Sequence, residues 1–449
     1  MNLSVDTLKD IAKDAVARAV ARGADEVEVC ISRRRHAVAQ IRAGDILGGK
    51  SSDSTTIGIR VIDGRRVGFA TVNNVDRIDE AIGDALTLAR VSPADPHAGL
   101  PDATPTPDFV PRRDDALDEV DMTELVGAAG MLIDRVKELD SRVSIDSGET
   151  SWTLSSRAVA SSKGVLHGRM RSFVGGSLFG MAVDGDEVGS FDGESDTVAT
   201  AAEFRTALEA AARRFVTKCT GALHGGSGTS FKGTVILTPE AVGELILPTL
   251  LGALSGRSLR LGRSPYAGKM ESLIASPLLT ITDPALDPDY LGSEAADREG
   301  MPTRNTVLID RGVLKHYLYD SYEARRAFVS ASGHATGGAG SLPGIGVHNL
   351  VVAPGADTLA TLAGGVERAL LVTRWSGSCS PVTGDFSGVS KGGWLIENGE
   401  RRPVREVQIA GNVFELVQRI SGVGSEVRIM DGTTSIPAIR FEDVTVTAG

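Results

Sequence analysis

Apolar residues recur every three or four positions through residues 5–22, with Leu8, Ile11, Ala15 and Ala19 on one stripe and Gly23 where a C-cap belongs, a pattern that predicts an amphipathic helix. Four short alternating runs follow: EVEVCIS, HAVAQIR, IGIRVI and VGFATV. They predict strands, the last two joined by a hairpin at Asp63-Gly64. The helical period returns over residues 76–90, with Ile78, Ile82 and Ala85 inward. Residues 93–111 carry six prolines and predict a linker. The same order then recurs. A helix is expected over 123–139, strands around Val143, Ala158, Arg169 and Leu178, and a helix over 197–217 with Phe204, Leu208 and Phe215 on one face.

From about residue 225 the chain is richer in strands and glycine. Hairpins are expected over 306–319, turning at Arg311-Gly312, and over 394–404, turning at Asn398-Gly399. Short helices are expected near 322–328, 358–368 and 413–420. The fold class read from this pattern is α+β. An N-terminal α/β domain (1–222) holds two similar helix–four-strand–helix units, 1–92 and 114–220, around a linker, 93–113. A mainly β domain with a few helices (223–449) follows.

Composition narrows the partners. Of 449 residues, 41% are hydrophobic and 23% charged, as in ordinary soluble globular chains, and 53 glycines fit many turns. A formal charge of −11 with no basic run argues against nucleic acid. The longest apolar run, residues 245–254, is too short to span a bilayer and contains Pro248, so no membrane partner is expected. Cys30, Cys219 and Cys379 are odd in number and scattered. They predict neither a disulfide framework nor a metal spacing, and a reduced, cytoplasmic setting is expected.

Candidate chemistry begins at Lys232, in KGTVILTPEAVGELILPTLLGALSG. A short strand ends at Thr238, an N-cap followed by Pro239. Glu240 and Glu244 then share one helix face. First-turn carboxylates also offset the helix dipole, which competes with a catalytic or metal-ligating reading. None of the seven histidines pairs with another at ligand spacing. His334 lies in the glycine-rich SGHATGGAGSLPGIG with Gly337 and Gly338. Cys379 lies in WSGSCSPVTGDFSGVSKGG with Asp385, Ser387 and Lys391, read as a surface loop that an extended peptide can approach.

Three ordered segments resemble the TldD/PmbA (TldE) family, historically called modulators of DNA gyrase: STTIGIRVIDGRRVGFATVNNVDRIDEAIGDALTLAR, EGMPTRNTVLIDRGVLKHYLYDSYEARR with SGHATGG, and VTGDFSGVSKGGWLIENGERRPVREVQIAGN. The resemblance implies a metallopeptidase of two related subunits. In the TldD branch the helix at this position carries HExxxH, and a cysteine near the C-terminus completes the metal site. Here the helix reads Glu240-Ala-Val-Gly-Glu244, and the C-terminal segment Met430-Asp431-Gly432, with neither histidine nor cysteine. The resemblance therefore implies a PmbA/TldE-like subunit with no metal of its own. Zinc is expected on a TldD-like partner, and the substrate is a short or unfolded peptide or a peptide-derived natural-product precursor. The His334 and Asp385–Lys391 segments are expected to face substrate or partner. Two alternatives stay open. One is a metal-free amidase using Cys379 or Ser387 with His334. The other is a non-catalytic homodimer that binds peptides or regulates a partner.

Overall fold

The computed structural model describes residues 4–405 and 407–448; Glu406, inside the third family-like segment, the first three residues and Gly449 lie outside them. Helix α1 (Val5–Ala21) is capped by Ser4, whose Oγ accepts the Thr7 N–H at 3.1 Å, and it buries Leu8, Ala12, Ala15 and Ala19. It leads into β1 (Glu26–Arg42), β2 (Asp45–Asp63), β3 (Arg66–Val72) and α2 (Ile78–Val91). The second pass runs α3 (Met122–Leu139), β4 (Val143–Ser161), β5 (Leu166–Asp184), the two-residue β6 (Glu187–Val188), β7 (Asp192–Val198) and α4 (Ala201–Gly221).

One antiparallel sheet holds both passes. Its order is β3-β2-β1-β4-β5, with β6 and β7 both on β5, so the two passes meet through their first strands. The strand count differs from expectation. EVEVCIS and HAVAQIR are one continuous strand, not two, and the first pass has three strands, not four. The polar Arg33-Arg34-Arg35 break reads as a turn in sequence, yet its charges are met across the sheet. Arg33 Nε lies 2.9 Å from Asp53 on β2, and the Arg35 guanidinium lies 5.2 Å from the Trp152 ring centroid on β4. The proline-rich segment is irregular but not loose. It buries Ala98 and Leu100 against Ile62, and the Leu100 N–H donates to Glu26 at 2.6 Å.

The second half begins with β8 (Phe231–Leu237), α5 (Pro239–Leu245), α6 (Leu247–Ala253) and α7 (Gly256–Arg260). After β9 (Ile281–Pro284), β10 (Asn305–Asp310) and β11 (Val313–Leu314) come α8 (Ser321–Ala327), β12 (Ala335–Thr336), β13 (Gly344–Ile345) and β14 (Leu350–Val352). The remaining strands are β15 (Arg368–Cys379), β16 (Asp385–Glu397), β17 (Glu400–Pro403), β18 (Val407–Asn412), β19 (Ile420–Met430) and β20 (Thr434–Thr447). Strand β8 pairs with β15 on one side and β20 on the other, so β8-β15-β16-β18-β20 closes into a ring. Closure leaves these five strands without an exposed edge. Helices α5 and α6 supply Val242, Leu245, Leu250 and Ala253 to the core.

Residues 385–391, expected as a loop, form the first half of β16, paired with β15 and β18. Their small side chains have a packing reason. A Cβ on Gly388 would lie 2.5 Å from Trp375 Nε1, so the glycine makes room for an indole lying over the strand.

Candidate functional site: the cleft beside helix α5

Pro239 opens α5 at its first turn, and Thr238 Oγ1 lies 2.9 Å from Glu240 Oε2 and 3.1 Å from the Thr373 carbonyl. This ties the helix start to β15 and turns Glu240 and Glu244 away from the buried Ala241, Val242 and Leu245. The opposite wall is residues 347–350, and the floor is the turn from β19 to β20. Together they enclose a cleft of about 430 Å³. Asp431 and Gly432 both have positive φ, +49° and +65°, as a tight hairpin turn requires. A Cβ on Gly243 would approach Met430 Cε to 3.0 Å, so the helix presses on the turn at its glycine. The two segments singled out in the sequence, 240–244 and 430–432, thus share one cleft although nearly 200 residues separate them.

A second bay of about 310 Å³ shares Glu240, Met430 and Asp431 and is walled by Glu194, Lys218 and Arg428. The buried Glu194 carboxylate receives Lys218 Nζ at 2.5 Å, Arg428 Nη2 at 2.5 Å and Arg214 Nε at 3.1 Å. Two of these cations also reach Glu240, with Arg428 Nε at 3.2 Å and Lys218 Nζ at 3.4 Å from Oε1. Burial would raise the Glu240 carboxyl, but Lys218, the helix's own N–H and Arg428 outweigh it and hold the group below the usual carboxylate range. Burial raises the Glu244 carboxyl, partly offset by the Trp375 N–H at 3.0 Å and by Arg374.

His348 reaches the same cleft, yet both ring nitrogens are engaged. Nε2 lies 2.8 Å from the Gly333 carbonyl and Nδ1 3.3 Å from Glu294. Burial would lower this imidazole, but Glu294 raises it above its ordinary value. The donor set therefore does not fit zinc, which prefers imidazole and thiolate ligands. The cleft offers carboxylates, one carrying two cations, and a methionine. Among the described residues no group of three or more His, Cys, Asp or Glu is arranged to hold a metal ion. The chemistry left to the cleft is recognition: Glu244 and Asp431 can accept N–H groups, and Leu247, Pro248 and Leu251 give it an apolar wall.

The other sequence candidates lie elsewhere. His334 is 1% exposed, with Nδ1 2.8 Å from Ser332 Oγ and Nε2 3.3 Å from Asp283. It is buried within the C-terminal half, beside Asp283 and His348. Gly337 and Gly338 are exposed, and a Cβ on Gly58 of β2 would lie 2.0 Å from the Ala339 carbonyl, so the glycine-rich segment packs on the N-terminal sheet. Cys379 Sγ lies 3.1 Å from Thr249 Oγ1. Its cross-strand neighbour is Phe386, so Ser387, next along β16, points to the opposite face and bonds Gln408 at 2.8 Å. Asp385 is exposed and accepts from Thr383 at 2.8 Å and Asn412 at 2.9 Å, which lower its carboxyl. Lys391 lies farther along β16, facing a different cavity that Arg374 and Arg405 also line. Cys379, Ser387 and His334 bond different groups, and among the described residues none bonds another of the three. Lys218, Arg428 and Glu194 carry no local sequence signal, because three separate elements bring them to Glu240.

Residues 230–448 match the model of the PmbA/TldA metallopeptidase C-terminal domain, and residues 27–89 that of PmbA/TldA metallopeptidase domain 1. Metalloprotease PmbA of Escherichia coli O157:H7 is 26% identical over 463 aligned residues, covering 97% of each chain. The uncharacterized protein MJ0231 of Methanocaldococcus jannaschii is 32% identical over 193 residues, 42% of this chain and 45% of that protein, so this alignment spans under half of the relative's length. TldE from Thermococcus kodakarensis has the same fold, with a TM-score of 0.88 at 27% identity, covering 97% of this chain and 99% of that one. No helix among the described residues is long and apolar enough to cross a membrane. On these matches the chain belongs to the TldD/PmbA family of metallopeptidase-like proteins.

Proposed function

We propose that this chain is the subunit without a catalytic metal in a two-subunit, TldE/TldD-type peptidase. A TldD-like partner supplies zinc and the hydrolytic step, while this chain supplies a peptide-facing wall. The observation that carries the reading is Glu240, held at 3.2 Å by Arg428 and 3.4 Å by Lys218. A divalent ion on this carboxylate would stand within a few ångströms of two positive charges. At an effective dielectric of about 20 each such contact costs several kcal/mol. No hydrolytic step is therefore assigned to this chain. Its cleft presents Glu244 and Asp431 beside an apolar wall, a surface suited to an extended short or unfolded peptide. The same reading covers a peptide-derived natural-product precursor.

The test is hydrolysis of unstructured peptides by the chain alone and by the chain mixed with the TldD-like protein of the same organism, with and without chelator. Activity is expected only in the mixture and is lost with chelator. Chelator-insensitive hydrolysis by the isolated chain would refute the assignment and favour an amidase centre within it.

A further inference from the structure

A separate cavity of about 250 Å³ lies at the domain junction, and its walls come from four segments that the cleft does not use. Strands β2 and β3 give Ile62 and Val67, and the proline-rich strap gives Ala98. The start of α8 gives Asp320, and the tip of the glycine-rich segment gives Leu342 and Pro343. Two buried charged groups form its polar end, while Asp95 and Tyr322, which also line it, are engaged with each other at 2.6 Å and Asp95 Oδ1 takes the His97 N–H at 2.9 Å. Arg60, 7% exposed, spends Nη2 on Glu28 at 2.7 Å and on Glu299 at 2.9 Å. Its Nη1 donates to none of the described residues and, unlike Nε, is not sealed off. Asp320, 8% exposed, uses Oδ1 to cap α8 through the Glu323 N–H at 2.7 Å, while Oδ2 accepts from none of the described residues and is likewise unsealed. Glu299 stands between them, taking Arg60 on Oε1 and the Ser321 N–H at 2.8 Å on Oε2.

We propose that this cavity binds a free α-amino acid with a small apolar side chain. Its carboxylate would lie on Arg60 Nη1, its ammonium on Asp320 Oδ2, and its side chain against Ile62, Val67, Ala98 and Leu342. The volume sets the size class, since drug-sized ligands occupy sites of about 300–1,000 Å³. The polar end sets the chemistry. A hydrocarbon leaves two buried groups unmet, an amine leaves the guanidinium unmet, and a carboxylate leaves Asp320 unmet. A zwitterion answers both, and charge-assisted bonds of this kind are among the strongest available. Burial and the neighbouring Glu299 raise the Asp320 carboxyl to about 6, a cost that a ligand ammonium relieves. Because both domains wall the cavity, an occupant bridges them. The inference does not depend on the metal reading of the α5 cleft.

The test is calorimetric titration of the full chain with L-valine and L-leucine, beside isoamylamine and 4-methylpentanoate, which lack the carboxylate and the amine respectively. Expected is saturable binding of an amino acid with Kd near or below about 1 mM, each analogue being at least about tenfold weaker. Leu342→Trp, at a 46% exposed tip that tolerates change, is expected to fill the mouth and weaken binding at least about tenfold without altering thermal unfolding. Asp320→Asn is expected to erase the preference for leucine over 4-methylpentanoate. No saturable binding up to about 10 mM, equal binding of the analogues, or binding unchanged in Leu342→Trp would overturn the proposal.

Discussion

Two clusters of buried charge tie the N-terminal sheet to the C-terminal domain, and they differ in what surrounds them. At the junction, Arg60 and Arg298 meet Glu28 and Glu299, while Arg157, Arg169 and Arg171 surround Glu294. Arg298, Glu28 and Glu299 are each 2% exposed or less. At the α5 cleft, Glu194 is as deeply buried, but the groups that meet it open outward, with Arg428, Lys218 and Arg214 side chains 15%, 16% and 33% exposed. The junction carboxylates are closed to water, with Arg60 reaching the small cavity beside them, so the cluster acts as a weld. The open one has a lip where water or a ligand can enter. On the proposed reading, the helix segment 240–244, where the resemblance places the TldD branch's metal motif, borders the open cluster, whose internal cations hold the carboxylates together.

That contrast predicts unequal costs. The largest belongs to the sealed side. Arg60→Ala takes from the buried Glu28 and Glu299 the cation they share, and a loss of about 3–5 kcal/mol is expected in chemical denaturation. Arg428→Ala removes one of three cations from Glu194 and opens its place to solvent, so about 2 kcal/mol is expected, with the Glu240 carboxyl rising when followed by NMR titration. A loss from Arg428→Ala equal to that from Arg60→Ala would erase the distinction.

A smaller effect is carried by pH. Burial and Glu299 push the Asp297 carboxyl up to about 7, against three backbone N–H donors at 2.9–3.0 Å. The folded state then holds a proton that the unfolded chain, with an aspartate near 3.9, has lost. The contribution is full below about pH 4 and fades as pH rises through about 7. The Tm advantage of the native chain over Asp297→Asn is therefore expected to shrink between pH 5 and 8, as scanning calorimetry would show. The smallest effect is Cys379→Ala. The thiol bonds Thr249, lies near two carbonyls and packs at the edge of the core, where an alanine keeps most of the contact. Stability should therefore move by no more than about 1 kcal/mol, and hydrolysis by the assembled complex should not change.

Legibility in the sequence followed the range of the interactions. The α1 stripe and the turn after Asp63 are set by neighbours in the chain, and both were readable. The continuity of β1 was not, because Arg33 pairs with Asp53, 20 residues on, and Arg35 lies over the Trp152 ring on a strand more than 100 residues later. The glycines of β16 read as a loop because their reason, the Trp375 indole, lies on the facing strand. In the site, the resemblance located segments 240–244 and 430–432, which the fold brings together. It gave no hint of Lys218 or Arg428, since a cation at a helix end or strand end has no signature until its partner is placed. The proline-rich segment, read as a linker, proved to be a packed strap for the same reason: Ala98 and Leu100 are apolar positions whose cover lies on another element.

On the proposed reading, Arg428 and Lys218 stand on the Glu240 carboxylate at the position where a TldD-like relative holds its ion. The most direct measurement is metal content and zinc titration of the isolated chain after dialysis against a metal-buffered solution, beside its separated TldD-like partner. Stoichiometric zinc is expected on the partner, and none retained by this chain. One zinc per isolated chain, lost on Glu240→Gln, would contradict that reading.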